Sequence, residues 1–140
     1  MHVRWSGLNA STFCIELSAK VSSSGSYLAL GLISSSTMGP GPVLACSADP
    51  PHSFPLYWNL ESKSSSPVAS STMVMDTSTH RADGTTTCYI TISSMFTVVP
   101  DKSANPKVFD LNKNATYLAT AAGSVSKGVL GQVFAQRNFE

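Results

Sequence analysis

The chain has 140 residues and a mass of 14.7 kDa, enough for one hydrophobic core and too little for two, so residues 1–140 read as a single domain. Nine Lys and Arg against eight Asp and Glu give a net charge of +1, and no basic stripe forms that could follow a phosphate backbone, which argues against nucleic acid as a partner. Charged residues make up only 12% of the chain, hydrophobic residues reach 42%, and Ser and Thr abound, the make-up of a β-rich extracellular module.

The opening MHVRWSG lacks the charged and apolar regions of a signal peptide, and nowhere is there an apolar run of about 18 residues. The chain is therefore expected to be a piece of a larger exported protein. Residues 2–5 pair as a first short strand, turned by Ser6-Gly7-Leu8-Asn9. In 12–20, Phe13, Ile15, Leu17 and Ala19 alternate with Cys14, Glu16, Ser18 and Lys20, the period of a half-buried strand with its apolar members inward. Cys14 then points outward, as a free or intermolecular thiol. A hairpin loop over 21–26 leads into 27–33, YLALGLI, apolar throughout and so suited to an interior strand covered on both faces. Gly31 within it marks a bulge or a close approach to the backbone.

The loop 34–42 carries Met38 on a Gly- and Pro-rich turn, where it is a soft metal ligand, a plug over one end of the core, or a plain surface residue. Residues 43–45 lead to Cys46, followed by a loop with Asp49, Pro50, Pro51 and His52. The short strand 54–58 has Pro55 to keep it at an edge, and its aromatic residues Phe54, Tyr57 and Trp58 either form a recognition surface or fill the core. A serine-rich loop spans 62–71, and 68–75 is a candidate to rejoin the sheet. Asp83-Gly84 is the strongest hairpin signal in the chain, since both residues tolerate positive φ.

The run 85–99 reads as a long strand with Thr86, Cys88, Ile90, Ile92 and Ser94 on one face and Thr87, Tyr89, Thr91, Ser93 and Met95 on the other. Residues 107–111 form a strand or a single turn, 116–122 a strand, and 128–135 a last strand in preference to a short helix. Eight or more short strands with turn signals between them indicate an all-β, two-sheet antiparallel sandwich.

Catalytic and metal signatures are sparse. There is no GxSxG, none of His2, His52 or His80 lies in a triad context, and Asp49, Asp76 and Asp83 read as solvated turn carboxylates. No HxH, HExxH, EF-hand or CxxC spacing occurs. A Met–His axial pair for haem iron stays chemically open, because haem needs only two side chains from distant loops and an apolar slot. The sequons Asn9-Ala10-Ser11 and Asn114-Ala115-Thr116 fit a secreted chain.

Trp5, FCIELSAK over 13–20, YLALGLI, the Met38-Gly39 loop reaching Cys46, DGTTTCY over 83–89, Asp110-Leu111 and TYLATAAG over 116–123 together resemble a DOMON domain of the ferric-chelate reductase type, across nearly the whole chain. The resemblance implies an immunoglobulin-like β-sandwich outside the cell, in a parent protein often anchored by a transmembrane cytochrome b561 domain. Some members resemble the haem b module of cellobiose dehydrogenase, with Met and His as axial ligands; others are associated with sugar binding or with protein contacts. Met38 matches the ligand methionine. The matching histidine should lie about ten residues beyond the glycine of the last strand, where GSVSKGVLGQ places Gln132, which offers iron no imidazole nitrogen. His52 or His80 would replace it only if its loop folded over the same sandwich end. The acid expected after Met-Gly is replaced by Pro40-Gly41-Pro42.

The expectation is thus a non-catalytic extracellular module that meets a protein or a glycan, without a cofactor. The alternative is a haem b electron-transfer domain, with Met38 as one ligand, of a membrane-associated ferric reductase-like protein. Cys46 and Cys88 are expected to form the disulfide, since they flank the Met38 loop and begin the long strand, whereas Cys14 belongs to an outer face. Asn9 and Asn114 are expected on exposed turns able to carry glycans.

Overall fold

Every even-numbered residue from Thr86 to Val98 is buried and every odd-numbered one between them is not, so one strand face points into the core along the whole run. The computed structural model describes residues 1–21, 25–33, 40–48, 51–53, 56–59, 65–113, 117–126 and 129–139, with strands and turns and no helix among them. The strands are β1 (His2–Asn9), β2 (Thr12–Lys20), β3 (Ser26–Ile33), β4 (Gly41–Ala48), β5 (Pro51–Ser53), β6 (Tyr57–Asn59) and β7 (Ser65–Pro67). They continue with β8 (Ser70–Ser71), β9 (Met75–Ala82), β10 (Thr85–Ser93), β11 (Met95–Val99), β12 (Lys107–Asp110), β13 (Tyr117–Ser126) and β14 (Val129–Phe139).

Three antiparallel sheets result: four strands ordered β1-β2-β10-β9, three ordered β12-β11-β8, and seven with the path β14-β13-β3-β4-β6-β7 and β5 beside β4. The first two act as one layer, because β10 runs through Ser94 into β11 without losing its buried face. The seven-stranded sheet is the other layer of the sandwich. Between them pack Ile15 and Leu17 of β2, Leu28 and Leu30 of β3, Leu44 of β4 and Ile90 of β10, all fully buried. Burying each such side chain contributes about 1.5 to 3 kcal/mol, which is what holds two sheets face to face.

The unbroken apolar run of β3 has the cause expected of it. Leu28, Leu30 and Leu32 face the core between the layers, while Tyr27 and Ala29 join Ala45 and Tyr57 in a second buried cluster on the opposite face. Gly31 makes no bulge: it pairs in continuous register with Val43 on one side and Ala119 on the other.

Asp83 and Gly84 take φ of 52° and 74°, so the β9–β10 hairpin closes through two left-handed residues, the type I′ pattern whose twist matches the strands it joins. The strand before that turn, Met75–Ala82, lies beyond the candidate at 68–75, which holds only the two-residue β8 and the first residue of β9. Its sequence MDTSTHRA is polar because it is a sheet edge, alternating half-buried and exposed residues.

The expected turn at 6–9 is instead strand. Ser6 pairs with Cys14 and Gly7 with Phe13, a bulge follows between Gly7 and Asn9, and the chain reverses at Ala10 and Ser11. Two local contacts favour this: the Trp5 and Phe13 rings lie 4.9 Å apart across the pair, and the Asn9 Oδ1 accepts both the Ser11 N–H (2.9 Å) and the Ser11 hydroxyl (2.7 Å). The serine-rich stretch also holds structure. The Val68 N–H donates to the Leu56 carbonyl at 3.0 Å and the Ala69 N–H to the Val99 carbonyl at 2.9 Å, so the chain steps there from one layer to the other.

Candidate recognition surface

Cys46 on β4 and Cys88 on β10 form a disulfide that crosses from one layer to the other, with Cα atoms 6.4 Å apart and a sequence separation of 42. Cys14 is a free, half-buried thiol on the outer side of β2. Both placements follow from strand parity, since Cys46 and Cys88 share faces with core leucines and isoleucines and Cys14 does not.

Of the two readings of the 54–58 aromatics, Tyr57 and Trp58 follow the core-filling one. Trp58 is 7% exposed and lies between the layers, with its ring edge-on to Phe109 at 6.1 Å, and Phe109 in turn stacks on Phe96 at 5.2 Å. Tyr57 is 8% exposed on the opposite side of the same sheet, among Tyr27, Ala29 and Ala45. Burial of two aromatic side chains contributes more to folding than their display could, so these residues fill the sandwich. Phe54, Met38 and Asn114 lie outside the described residues. Asn9 is exposed at the β1–β2 turn.

His2 and His80 stand on opposite edge strands of one sheet. His2 begins β1 and His80 stands on β9, both exposed, and the backbone of His52 pairs with Ser47 through β5. Gln132 falls within β14, in the stretch where its register against β13 shifts. Among the described residues no group of three His, Cys, Asp or Glu side chains could hold a metal ion.

What the fold does present is the outer face of the sheet β1-β2-β10-β9. Strand register arranges it in rows: Arg4, Glu16, Tyr89 and Ser78; Ser6, Cys14, Thr91 and Asp76; His2, Ser18, Thr87 and His80. Tyr89 stands on an inner strand and is 45% exposed, with Thr87 and Thr91 above and below it on the same strand. Among the described residues no ion pair or side-chain hydrogen bond occupies Arg4, Glu16, Asp76 or Tyr89. Chemically the face offers one phenol ring with an open side, two imidazoles at its edges, two carboxylates that only accept, a guanidinium that only donates, and hydroxyls that do both.

Among the described residues two ionisable groups are shifted, and both lie off this face. Burial pushes the Tyr27 phenol above the ordinary tyrosine range. At Asp101, the Ser103 hydroxyl and N–H donate to Oδ1 at 2.6 and 2.8 Å and hold the carboxyl below its usual range. The Asp101 turn is fully exposed and reads as a closed loop leading to β12.

The sequence did carry a signal for this surface. The alternation of 85–99 puts Tyr89 opposite in face to Cys88 and Ile90, so an outward aromatic on that strand was legible. No family model, no curated protein and no solved structure matches the chain.

Proposed function

We propose that this chain is an extracellular β-sandwich module of the DOMON type that works by recognition, and that it holds a glycan against the outer face of β1-β2-β10-β9. The observation that carries the reading is Tyr89, a large ring left open on an inner strand among hydroxyl and carboxylate side chains. A sugar ring has an apolar C–H face suited to stacking on such a phenol, and a rim of hydroxyls suited to Glu16, Asp76, Thr87 and Thr91.

Other features support an extracellular compartment. An inter-layer disulfide persists in an oxidising environment, and the exposed Asn9 sequon is placed to accept a glycan of its own. The module then acts on the outer side of the cell, secreted or as the ectodomain of a membrane-anchored parent. The order of the motifs from Trp5 to TYLATAAG supports the DOMON assignment, and the all-β sandwich is the architecture it implies.

The test is titration of isotope-labelled protein with neutral and acidic oligosaccharides. Amide shifts should concentrate at Glu16, Thr87, Tyr89 and Thr91. Shifts confined to other parts of the chain would displace the reading, and a Soret band appearing on addition of haem and lost in Met38→Ala would favour electron transfer.

A further inference from the structure

The outermost strand β1 is uncovered. All its residues but Val3 are exposed, it spans eight residues, and it contains no proline. Proteins usually protect such an edge with Pro, an inward-pointing charge or a covering loop. Here the one firmly charged residue, Arg4, lies opposite Glu16 on the outer face, while the inward side of the edge carries Val3 and Trp5. Trp5 is 37% exposed although its ring packs on Phe13 at 4.9 Å.

The direction of the β1 backbone groups can be worked out from bonds two strands away. The Val21 N–H donates to the Gly84 carbonyl at 3.2 Å and the Ser94 N–H to the Ser11 carbonyl at 2.8 Å, one beyond each end of the β2–β10 register. In an antiparallel ladder hydrogen-bonded pairs recur every second residue, so the odd residues of β2 bond β10 and its even residues bond β1. Ser18, Glu16 and Cys14 stand opposite His2, Arg4 and Ser6. The N–H and C=O groups of Val3, Trp5 and Gly7 therefore point out of the sheet edge.

We propose that β1 pairs antiparallel with β1 of a second copy of this chain, about a twofold axis through Trp5 perpendicular to the sheet. Such an axis keeps the two inner faces on one side and requires opposite residues to share parity. Centred on Trp5, it sets Trp5 against the partner's Trp5 and Val3 against the partner's Gly7, with the outward-pointing odd residues forming about six backbone bonds. The neighbouring register centred on Arg4 also satisfies parity but opposes Arg4 to itself, a like-charge pair that destabilises a ladder. Centring on Trp5 places Arg4 against Ser6, overlaps His2 to Leu8 of both strands, and joins two four-stranded sheets into one continuous sheet. It also covers the exposed side of the Trp5 ring.

The experiment uses the full chain with Cys14→Ser, which removes any intermolecular disulfide. Sedimentation equilibrium should show a species of twice 14.7 kDa that dissociates on dilution. Hydrogen exchange should show the Val3, Trp5 and Gly7 amides protected only at concentrations where the dimer forms, with Arg4 and Ser6 protected at every concentration. Val3→Pro removes an outward N–H that the monomer does not use, and Trp5→Lys puts a charge into the seam; each should leave a monomer. A monomer at all concentrations overturns the proposal. So does a dimer in which the three odd amides exchange freely, a readout that needs no variant to fold.

Discussion

The Ser94 hydroxyl donates a 2.8 Å hydrogen bond to the carbonyl of Ala10, 84 residues earlier in the chain. The same carbonyl accepts from the Asn112 amide at 2.6 Å, and the Ser94 carbonyl accepts the Leu111 N–H at 2.8 Å. Ser94 thus ties the β1–β2 turn and the turn after β12 to the point where one long strand leaves one sheet for the next. Its small, hydroxylated side chain suits a buried junction that neither a larger residue nor an apolar one would satisfy.

Ser94→Ala should lower unfolding free energy by about 1 kcal/mol, the net worth of one hydrogen bond whose acceptor keeps a second donor. Adding Asn112→Ala should cost more than the two single changes summed, because the Ala10 carbonyl then loses both side-chain partners. Urea unfolding with an unchanged slope checks this; strict additivity would mean the two donors do not share the acceptor's energetics.

Removing the disulfide with Cys46→Ala and Cys88→Ala together should cost about 4 kcal/mol, the chain-entropy estimate for closing a loop of 42 residues. Thiol titration of the native wild-type chain should find one reactive group, Cys14. Two or three native thiols in protein from an oxidising host would contradict the pairing.

Gly84→Ala should destabilise by roughly 1 kcal/mol through backbone strain alone, since φ is +74° and a Cβ there meets nothing within 4 Å. Asp83→Gly should be tolerated, because φ at Asp83 is also positive. Comparing denaturation midpoints separates the two, and a neutral Gly84→Ala would count against the type I′ turn.

Burial raises the Tyr27 phenol pKa in the folded state above its unfolded value, so the folded chain holds that proton more tightly. The stability this contributes is present below the unfolded pKa of about 10 and is lost as pH rises through the folded one. Stability should fall in that alkaline window, and Tyr27→Phe should flatten the fall. An unchanged alkaline slope in the variant would show that other groups cause it.

How much of this could be read from the sequence depended on burial. β2, β3 and the β10–β11 run announced themselves because alternate or continuous apolar residues record which faces are covered, and the faces of Cys14 and Cys88 followed from them. β9 and the outer part of β1 were missed because an edge strand is half solvated, so MDTSTHRA and SGLN carry polar residues that read as loop. β7 and β8, at two or three residues each, are too short for any period to show. Tyr57 and Trp58 left two readings open for a different reason. An aromatic pair beside a proline looks the same in sequence whether its sheet is covered on one face or on both, and here both faces are covered.

The most direct test of the central claim is to measure glycan affinity for the wild-type chain and for Tyr89→Ala on one panel of oligosaccharides. Tyr89 is exposed, so its removal should leave folding intact. Affinity should drop by roughly tenfold or more, as expected for an aromatic anchor at a recognition surface. Equal affinity in the two proteins, or no binding by the wild type to any member of the panel, would contradict the account.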